Sequence, residues 1–398
     1  VRIGGSLMMG SSALLRFSLS AVVACVLAGC GGSGDGSVVI GLNVESTGSI
    51  PNVGAHSQAA AEMFVEEINA AGGVTVGGGQ RTLELIIADN AGTAAGAAEA
   101  AESLIDEDEV LVMVGPNASV AAVPAGAVAD ELETPMISPW STNPSTTLGR
   151  PWVFRAPFID SFQGPILGAF AAEEFGAERA CVLFAADSDA PRGVAESFRV
   201  GWETNHGAGS VAAYETFATG DEEFTDQLEV IAAADCDLIF TPQYYNEVPL
   251  IVRQVRALGL TIPIIGNDGW SDPQLTERCG TDCDGTFYGA HYIAAGATGP
   301  TMEFIDKFEA RQGEVPSDVG ALTWDAMRLV VQAIENCGDL SGDLTTDRAC
   351  VRDGMASIRE FEGITGTMSF DNQGDPTKCM VIATIEGGTA RFYKSACP

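Results

Sequence analysis

The sequence predicts an α/β protein built from two doubly wound, Rossmann-like lobes. Short apolar runs of strand length alternate with amphipathic helical segments from Val38 onward. This alternation is typical of a parallel sheet covered by helices on both faces. It stops near the extended segment 150–157 and restarts at Ala180, which indicates a second sheet. With 398 residues, the chain is long enough for two hydrophobic cores.

The composition is that of an ordinary globular protein except for its charge. Hydrophobic residues make up 46% of the chain and charged residues 19%, so no large disordered region is predicted. The formal net charge is −34. Because phosphate backbones are bound by clustered lysine and arginine, this charge argues against a nucleic-acid partner. Either an acidic surface suited to a salty medium or the capture of cationic ligands would account for it.

The N-terminal segment predicts export and attachment to a membrane through lipid alone. Arg16 precedes the apolar stretch Phe17–Leu27, which is too short to span a bilayer and leads into Leu-Ala-Gly-Cys ending at Cys30. This pattern resembles a bacterial lipoprotein signal. We therefore expect a signal peptide over 1–29, lipidation of Cys30, and a Gly/Ser tether over 30–37. The alternative is a chance cysteine in an ordinary secretory signal.

Export would place the remaining cysteines in an oxidising compartment. Eight remain after Cys25 and Cys30 are set aside, and an even number there favours disulfides. A zinc site at Cys279 and Cys283 is the alternative, although no second pair of ligands lies nearby. The connectivity stays open. Local pattern suggests the pairs Cys181 with Cys236, Cys279 with Cys283, Cys337 with Cys350, and Cys379 with Cys397.

The first half of the chain has the pattern of a doubly wound sheet. Its first helix has apolar residues at three- and four-residue steps, with glutamates on the opposite side, and the pair Gly72-Gly73 ends it. A third helix should begin after Ala118, and a short strand should include Met136 and Ile137. The other predicted strands are Val38–Val44, Leu83–Ala88 and Val110–Val114, and the other helices are Ser57–Ala70 and Ala94–Ile105.

The second half repeats this alternation and then returns to the first lobe. A strand over Gly285–Ile293 is expected to make the return, and a hairpin between Cys379 and Cys397 turns at Gly387-Gly388. The other predicted strands are Ala180–Ala185, Cys236–Phe240 and Pro263–Ile265, and the helices are Gly193–Asn205, Glu247–Leu258, Thr301–Gln312 and Gly320–Asn336.

The loops at the carboxyl ends of the strands predict a ligand site. Ligands of open α/β sheets bind at that edge. Ser119 lies in the first turn of the helix after the strand Val110–Val114, where free N–H groups and the helix dipole favour an anion. Ser141 and Thr142 follow the next strand and add hydroxyl donors for a carboxylate. The alternative is that Ser119 serves only as a helix N-cap.

Several motifs resemble the periplasmic leucine/isoleucine/valine-binding proteins, the amino-acid branch of the type I substrate-binding proteins. The resemblance extends from about Val38 to Tyr393. It implies the type I periplasmic-binding-protein fold, in which two lobes joined by three crossings close on a ligand by hinge motion. The motifs are IGLNVESTGSIPNVG, INAAGG, MVGPNAS, PMISPWSTNP, FRAPFIDSFQGP, YYNE, VRALGL, IIGNDGW and ITGTMSFDNQGD. The implied N-terminal lobe comprises 38–155 and 289–370, and the C-terminal lobe 156–288 and 371–398.

The resemblance also assigns ligand-binding residues. It places the family's serine and threonine on Ser119 and Thr142, and the acid that pairs with the ligand's ammonium on Asp268. The backbone of Ser141 is expected to meet the ligand. Hydroxyl and N–H donors suit a carboxylate, while a carboxylate and aromatic faces suit an ammonium. The expected ligand-binding set is completed by Asn117, Trp140, Tyr244 and Tyr245.

Other interpretations of these residues remain open. Asp268 precedes Gly269 and could be a turn residue. The two tyrosines could belong to the core or the rim, and Trp140 could line the pocket or only pack. One departure from the family concerns Ala190, which occupies a position where relatives often have tyrosine. This leaves the size of the ligand open.

The predicted function is that of a solute receptor rather than an enzyme. The resemblance implies capture of an amino acid, branched-chain or related, by a monomer and its delivery to the transmembrane subunits of an ABC permease. A sensor of the same fold that signals without transport is the alternative. The histidines, His56, His206 and His291, are widely spaced and form no zinc motif, and no G-x-S-x-G elbow occurs. We expect no cofactor and no metal.

Overall fold

The structure is a computed structural model that describes residues 36–397. The predicted signal peptide, Cys30 and most of the tether therefore lie outside the described residues. Within 36–397, no helix is both long and apolar enough to cross a membrane.

The strands of this range include long apolar runs, such as Val38–Val44 and Ala180–Ala185, which are buried along nearly their whole length. Strands that read as continuous apolar runs are typical of parallel sheets covered on both faces. In chain order the strands are β1 (Val38–Val44), β2 (Val74–Val76), β3 (Gly79–Arg81), β4 (Leu83–Asp89), β5 (Val112–Val114), β6 (Met136–Ser138), β7 (Val153–Arg155), β8 (Ala180–Ala185), β9 (Val211–Phe217), β10 (Leu238–Phe240), β11 (Ile264–Gly266), β12 (Phe287–Ala290), β13 (Phe361–Gly363), β14 (Gly366–Phe370), β15 (Pro376–Thr377), β16 (Met380–Glu386) and β17 (Thr389–Ala396).

The helices follow the strands as the sequence pattern requires. Several begin with a side chain that caps the first turn; Asp343, for example, accepts a hydrogen bond from the Thr346 N–H at 2.9 Å. In chain order the helices are α1 (Pro51–Ala70), α2 (Ala94–Glu102), α3 (Ser119–Glu131), α4 (Asp160–Phe175), α5 (Asp189–His206), α6 (Thr225–Ala233), α7 (Val248–Ala257), α8 (Pro273–Cys279), α9 (Gly299–Gln312), α10 (Asp318–Asn336) and α11 (Leu344–Ala356).

The first sheet has five parallel strands in the order β4-β1-β5-β6-β7. Alternate residues of β1 point to opposite faces, so Ile40 packs in the core with α1 and α10, whereas Val39 packs in the core with α2 and α3. The small residues on α2 and α3 let these two helices pack closely beside each other. The sheet is therefore the middle layer of an α/β/α lobe.

The second sheet has seven strands in the order β17-β16-β12-β11-β10-β8-β9. Strands β8 to β12 are parallel, and the hairpin of β16 and β17 adds antiparallel strands beside β12. Helices α4 and α5 cover one face with a core that contains Phe198 and Trp202. Helices α6, α7 and α8 place their apolar residues in the core on the other face.

Three connections join the two sheets, as expected for a type I periplasmic-binding-protein fold. They are 156–159 between β7 and α4, 291–298 between β12 and α9, and 378–379 between β15 and β16. The segments beside the first and third connections are tied to each other, because Arg155 Nε at the end of β7 donates to Asp375 Oδ1, just before β15, at 2.6 Å. Lys378 Nζ donates to Thr365 Oγ1 at 2.8 Å and lies 3.5 Å from the carbonyl oxygen of Ala156.

All four suggested cysteine pairs are bonded in the structure. They are Cys181–Cys236, Cys279–Cys283, Cys337–Cys350 and Cys379–Cys397. Cys181 lies on β8, which pairs with β10, and Cys236 comes two residues before β10. Pairing of these two strands therefore brings together cysteines that are 55 residues apart in sequence.

The structure differs from the predicted elements in several places. The predicted strand over 285–293 is shorter, Phe287–Ala290, and pairs with β11 and β16, so the return to the first lobe begins only after it. The segment between Cys337 and Cys350 contains the first half of α11, where no helix was predicted. Other elements without a prediction include helices α4, α6 and α8 and strand β9. Strand β9 is an edge strand and only partly buried.

Candidate functional site

A cleft lies between the two sheets at the carboxyl ends of their parallel strands. The order of strands reverses between β1 and β5 in the first sheet and between β8 and β10 in the second. Such a reversal makes the following loops diverge and leaves a crevice, which is where open α/β sheets bind ligands. The cavity between the two sets of loops is only about 10 Å³, roughly the volume that one water molecule needs, so the lobes are closed against each other.

The first wall of the cleft comes from the loops after β5 and β6. Asn117, Ser119, Trp140 and Thr142 line it and are buried. The chain can turn sharply at Gly115, which has a φ of 88°, and a Cβ there would lie 2.0 Å from the carbonyl oxygen of Asn43. Only glycine therefore lets this loop approach β1 so closely.

Ser119 is the first residue of α3 and not its N-cap. The N-cap is Ala118, whose backbone is extended with φ −70° and ψ 141°, and no side chain caps this helix from that position. The alternative that Ser119 serves only as an N-cap is therefore wrong. Its side chain is 1% exposed and accepts a hydrogen bond from Ser141 Oγ at 3.0 Å. The Ser119 hydroxyl is thus free to donate to a ligand in the cleft.

A carboxylate of the protein itself occupies part of the helix terminus. Glu45, in the loop after β1, is fully buried and accepts from the Asn117 and Ala118 N–H groups through Oε1, each at 3.0 Å. Its Oε2 accepts from Asn117 Nδ2 at 2.7 Å. Burial raises the pKa of Glu45, while these hydrogen bonds oppose the shift. Two N–H groups that a ligand anion would otherwise use are therefore already taken.

Ser141 lies behind the wall rather than on it. Its N–H donates to Ser138 Oγ at 3.1 Å, and its carbonyl oxygen accepts from Arg155 Nη1 at 2.8 Å. Its hydroxyl lies between Ser119 Oγ and Thr146 Oγ1, at 3.0 and 2.7 Å. The structure therefore does not place the Ser141 backbone or hydroxyl among the groups that line the cleft; instead, Ser141 orients Ser119.

The second wall comes from the loops after β8, β10 and β11. Ala190, Tyr244, Asn267 and Asp268 line it. The ring of Tyr244 lies 5.7 Å from the ring of Trp140 on the opposite wall, centroid to centroid. Burial raises the pKa of Tyr244, and the charges of Asp268 and Glu45 add to the shift. The two aromatic rings therefore bring the walls into contact beside the cleft.

Tyr245 and Trp270 point elsewhere. Tyr245 is buried, and the guanidinium of Arg278 lies 5.6 Å from the centre of its ring, away from the residues that line the cleft. Trp270 donates from Nε1 to the carbonyl oxygen of Thr241 at 3.1 Å and packs in the core. Of the tyrosine pair, only Tyr244 reaches the cleft.

Asp268 is held from two sides. It is 4% exposed, and its N–H donates to Gln163 Oε1 at 2.8 Å. Its Oδ2 lies 3.3 Å from His291 Nε2, in the second connection. Burial lowers the pKa of His291 to about 4, so the imidazole is neutral at pH 7 and donates to Asp268 without cancelling its charge. The carboxylate keeps its capacity to pair with a cation in the cleft.

Two further buried carboxyl groups lie near Asp268. Neither oxygen of Asp160 has a hydrogen-bond partner within 36–397. Burial raises the pKa of Asp160 to about 7, and the negative charge of Asp268 adds to the shift. The nearby hydroxyl of Thr142 and the positive charge of Arg155 oppose it. Burial, with the charge of Asp268, also raises the pKa of Asp318 well above its ordinary range. Burial thus favours the uncharged, protonated form of both carboxyl groups.

Chemically, the cleft offers hydroxyl donors on one wall and a carboxylate on the other. Such an arrangement can hold a small zwitterion by both of its charged ends. Within 36–397, no group of three or more histidine, cysteine or acidic side chains is arranged to hold a metal ion.

Four residues that sequence reasoning missed position this site: Glu45, Arg155, Asp160 and His291. Each is a polar residue that lies in an otherwise apolar segment or in or beside a connection between the two sheets. Glu45 could have been recognised from the sequence, because it directly follows the buried strand β1 and buried charges are rare unless they are paired. Arg155 and His291 pair with residues distant in sequence, Asp160 is buried without a hydrogen-bond partner within 36–397, and no local pattern marks these three.

The comparisons with known proteins agree on one family. The family model described as "Periplasmic binding protein" matches residues 37–390. The leucine-, isoleucine-, valine-, threonine- and alanine-binding protein of Pseudomonas aeruginosa is 29% identical over 343 residues, which cover 85% of this chain and 87% of that protein.

Two solved structures have the same fold. The leucine-binding protein LivK of Thermotoga maritima is 31% identical with a TM-score of 0.81, covering 91% of this chain and 99% of that chain. The branched-chain amino-acid substrate-binding protein LivJ of Streptococcus pneumoniae, in complex with isoleucine, is also 31% identical with a TM-score of 0.81, covering 91% and 100%. These relatives are solute-binding proteins, which confirms the prediction that the chain is not an enzyme.

Proposed function

The chain belongs to the periplasmic binding protein family, and from this premise we propose that it captures an amino acid, branched-chain or related, for an ABC permease. One observation carries the proposal. The cleft has Ser119 and Thr142 on one wall and Asp268 on the other, all three lining the same small space. Donors opposite a carboxylate match the two charged ends of a zwitterion.

In this proposal the ligand's carboxylate meets the first wall. Ser119 Oγ and Thr142 donate to it, together with the N–H groups at the start of α3 that Glu45 does not occupy. Ser141 supports Ser119 from behind and does not contact the ligand. The dry surroundings strengthen these charge-assisted bonds, because the local dielectric is low.

The ligand's ammonium meets Asp268 and the faces of Tyr244 and Trp140. Asp268 keeps its orientation through Gln163 and His291, so little conformational freedom is lost when the ligand binds. Asn117 completes the lining beside Ser119. The walls are in contact through Tyr244 and Trp140, so a ligand would enter when the lobes open by bending at the three connections.

Two parts of the proposal concern the surroundings of the protein. We infer lipid attachment at Cys30 from the Leu-Ala-Gly-Cys sequence, which would hold the receptor on the periplasmic or cell-surface side of the membrane. Delivery to a permease is supported by relatives named as substrate-binding proteins of amino-acid transporters. A monomer is sufficient, since one chain contributes both walls of the cleft.

Calorimetry with a panel of amino acids and amides tests the function. We expect at least one member to bind with a dissociation constant below the millimolar range. Absence of binding across the panel at millimolar concentration would overturn the proposal. Two experiments test the anchor. A Cys30→Ser variant should be found in the soluble fraction instead of the membrane fraction. Mass spectrometry of the wild-type protein should find lipid on residue 30.

A further inference from the structure

Among the residues that line the cleft, Asn117 gives the most information about the ligand's side chain, because of the groups that surround it. Glu45 and Asn117 are both fully buried, and Asn117 lies two residues before Ser119 on the first wall. Asn117 Nδ2 donates to Glu45 Oε2 at 2.7 Å, while its backbone N–H donates to Glu45 Oε1 at 3.0 Å. One face of the residue is therefore fully engaged by Glu45.

The orientation of the Asn117 amide follows from the chemistry of its partner. A carboxylate only accepts hydrogen bonds, so the NH₂ end of the amide must face Glu45 and Oδ1 must face the other way. Oδ1 is buried and has no hydrogen-bond partner within residues 36–397. Because buried acceptors without a partner are costly, such an atom at the wall of a ligand cleft indicates a donor supplied by the ligand.

We propose that the Glu45–Asn117 pair makes the side-chain end of the cleft a hydrogen-bond acceptor, so that the protein prefers amino acids whose side chain carries an O–H or N–H donor over purely aliphatic ones. This rests on the proposed function, since it assumes that the cleft holds an amino acid by Ser119, Thr142 and Asp268. The carboxylate of Glu45 behind the amide polarises it and makes Oδ1 a stronger acceptor.

The lining of the cleft narrows the class, because the two walls beside Asn117 lie close together. The rings of Trp140 and Tyr244 border the same space and present apolar faces. A small hydroxyl or amide side chain would satisfy Oδ1 and still contact these rings.

Threonine and valine form the most direct test, because they have the same shape and differ by a hydroxyl in place of a methyl group. In calorimetry with the exported protein we expect threonine to bind at least about tenfold more tightly than valine. In Asn117→Leu this ratio should fall to about one or reverse. The matched control Asn205→Leu changes an exposed asparagine on α5 and should keep the wild-type ratio.

Glu45→Gln provides a second variant of nearly unchanged shape. The new amide would donate to Asn117 Oδ1, so the Asn117 NH₂ would turn toward the cleft and the wall would become a donor. Diaminobutyrate, whose side-chain ammonium only donates, should then bind at least about tenfold more weakly than to the wild type. Threonine should lose less affinity, because its hydroxyl can also accept a hydrogen bond.

The outcomes separate the two proposals. Valine binding as tightly as threonine to the wild type, or an unchanged ratio in a folded Asn117→Leu variant, overturns the acceptor assignment and leaves the receptor function standing. If no amino acid of the panel binds, the proposed function fails, and this inference fails with it. Thermal unfolding of each variant shows whether it is folded.

Discussion

Asn52 on α1 and Asp272 at the start of α8 join the two lobes directly: Asn52 Nδ2 donates to Asp272 Oδ2 at 2.8 Å, although the residues lie 220 positions apart in sequence. Helix α1 packs on the first sheet and α8 on the second. Asp272 also caps α8 by accepting from the Gln274 N–H through Oδ1 at 2.9 Å. This bond exists only while the lobes are close together, so it stabilises the closed form.

The first prediction concerns this bond. Asn52→Ala should leave the fold intact and favour opening of the lobes, because only the closed form loses a hydrogen bond to a charged acceptor. We expect bound ligand to dissociate about tenfold faster, as measured by stopped-flow fluorescence. Asn205→Ala is the matched control. An unchanged dissociation rate in Asn52→Ala would mean that the bond does not contribute to closure.

The second prediction concerns Asp268. Asp268→Asn keeps the shape of the side chain and removes the charge that faces the ligand's ammonium. Because truncating a buried charge pair costs about 2–5 kcal/mol, the dissociation constant should rise at least about thirtyfold in calorimetry. Asp306→Asn removes an exposed charge on α9 and should bind as the wild type does. Equal affinity for both variants would exclude Asp268 as the ammonium partner.

The third prediction concerns the pH dependence of stability. The pKa of Asp160 is about 7 in the folded protein against an ordinary value of 3.8. Between these values the folded state holds a proton that the unfolded state has lost, so stability falls as pH rises from about 4 to 7. A shift of this size is equivalent to about 4 kcal/mol.

Asp160→Asn should remove this contribution. We expect the variant to be more stable than the wild type at pH 8 and nearly equal to it at pH 4, as measured by urea unfolding. Taking the difference between the two proteins at each pH cancels the opposite contribution of His291, whose lowered pKa favours stability as pH rises. A difference that does not change with pH would contradict the raised pKa of Asp160.

The fourth prediction compares two disulfides by the length of chain that they close. Cys181–Cys236 closes a segment with a sequence separation of 55, and Cys279–Cys283 one of 4. The entropy of the unfolded chain then predicts losses of about 4 and 2 kcal/mol when each pair is changed to serine. Chemical denaturation of the two double variants measures the difference. A larger loss for the short pair would show that the local turn at 280–283, not chain entropy, dominates.

The order of the elements and the position of the cleft could be predicted because they follow from local patterns. Apolar runs such as Ala180–Ala185 match β8 residue for residue, and the polar loops after β5, β6 and β11 contain Ser119, Thr142 and Asp268. Parallel strands bring such loops to one edge of a sheet, so their convergence did not require coordinates. Their role in binding a ligand stays a prediction.

The predictions for Ser141 and Tyr245 show where local patterns stop being sufficient. Both residues are adjacent in sequence to a residue that lines the cleft, yet Ser141 bonds to Thr146 and Arg155, and Tyr245 packs near Arg278. In an irregular loop, neighbouring side chains point in different directions. Which of them faces the cleft depends on partners brought from distant parts of the chain.

By itself, the sequence determined the α/β class, the two sheets and the edge at which polar loops gather, because periodicity and strand direction are encoded locally. It suggested the four cysteine pairs but left their connectivity open. Only the tertiary structure decided that Glu45 binds backbone N–H groups at the start of α3, that His291 holds Asp268, and that Asn117 turns its carbonyl oxygen away from Glu45. The physical reason is burial. A buried polar group must be paired, and its partner is set by which residues the fold brings within about 3 Å, whatever their separation in sequence.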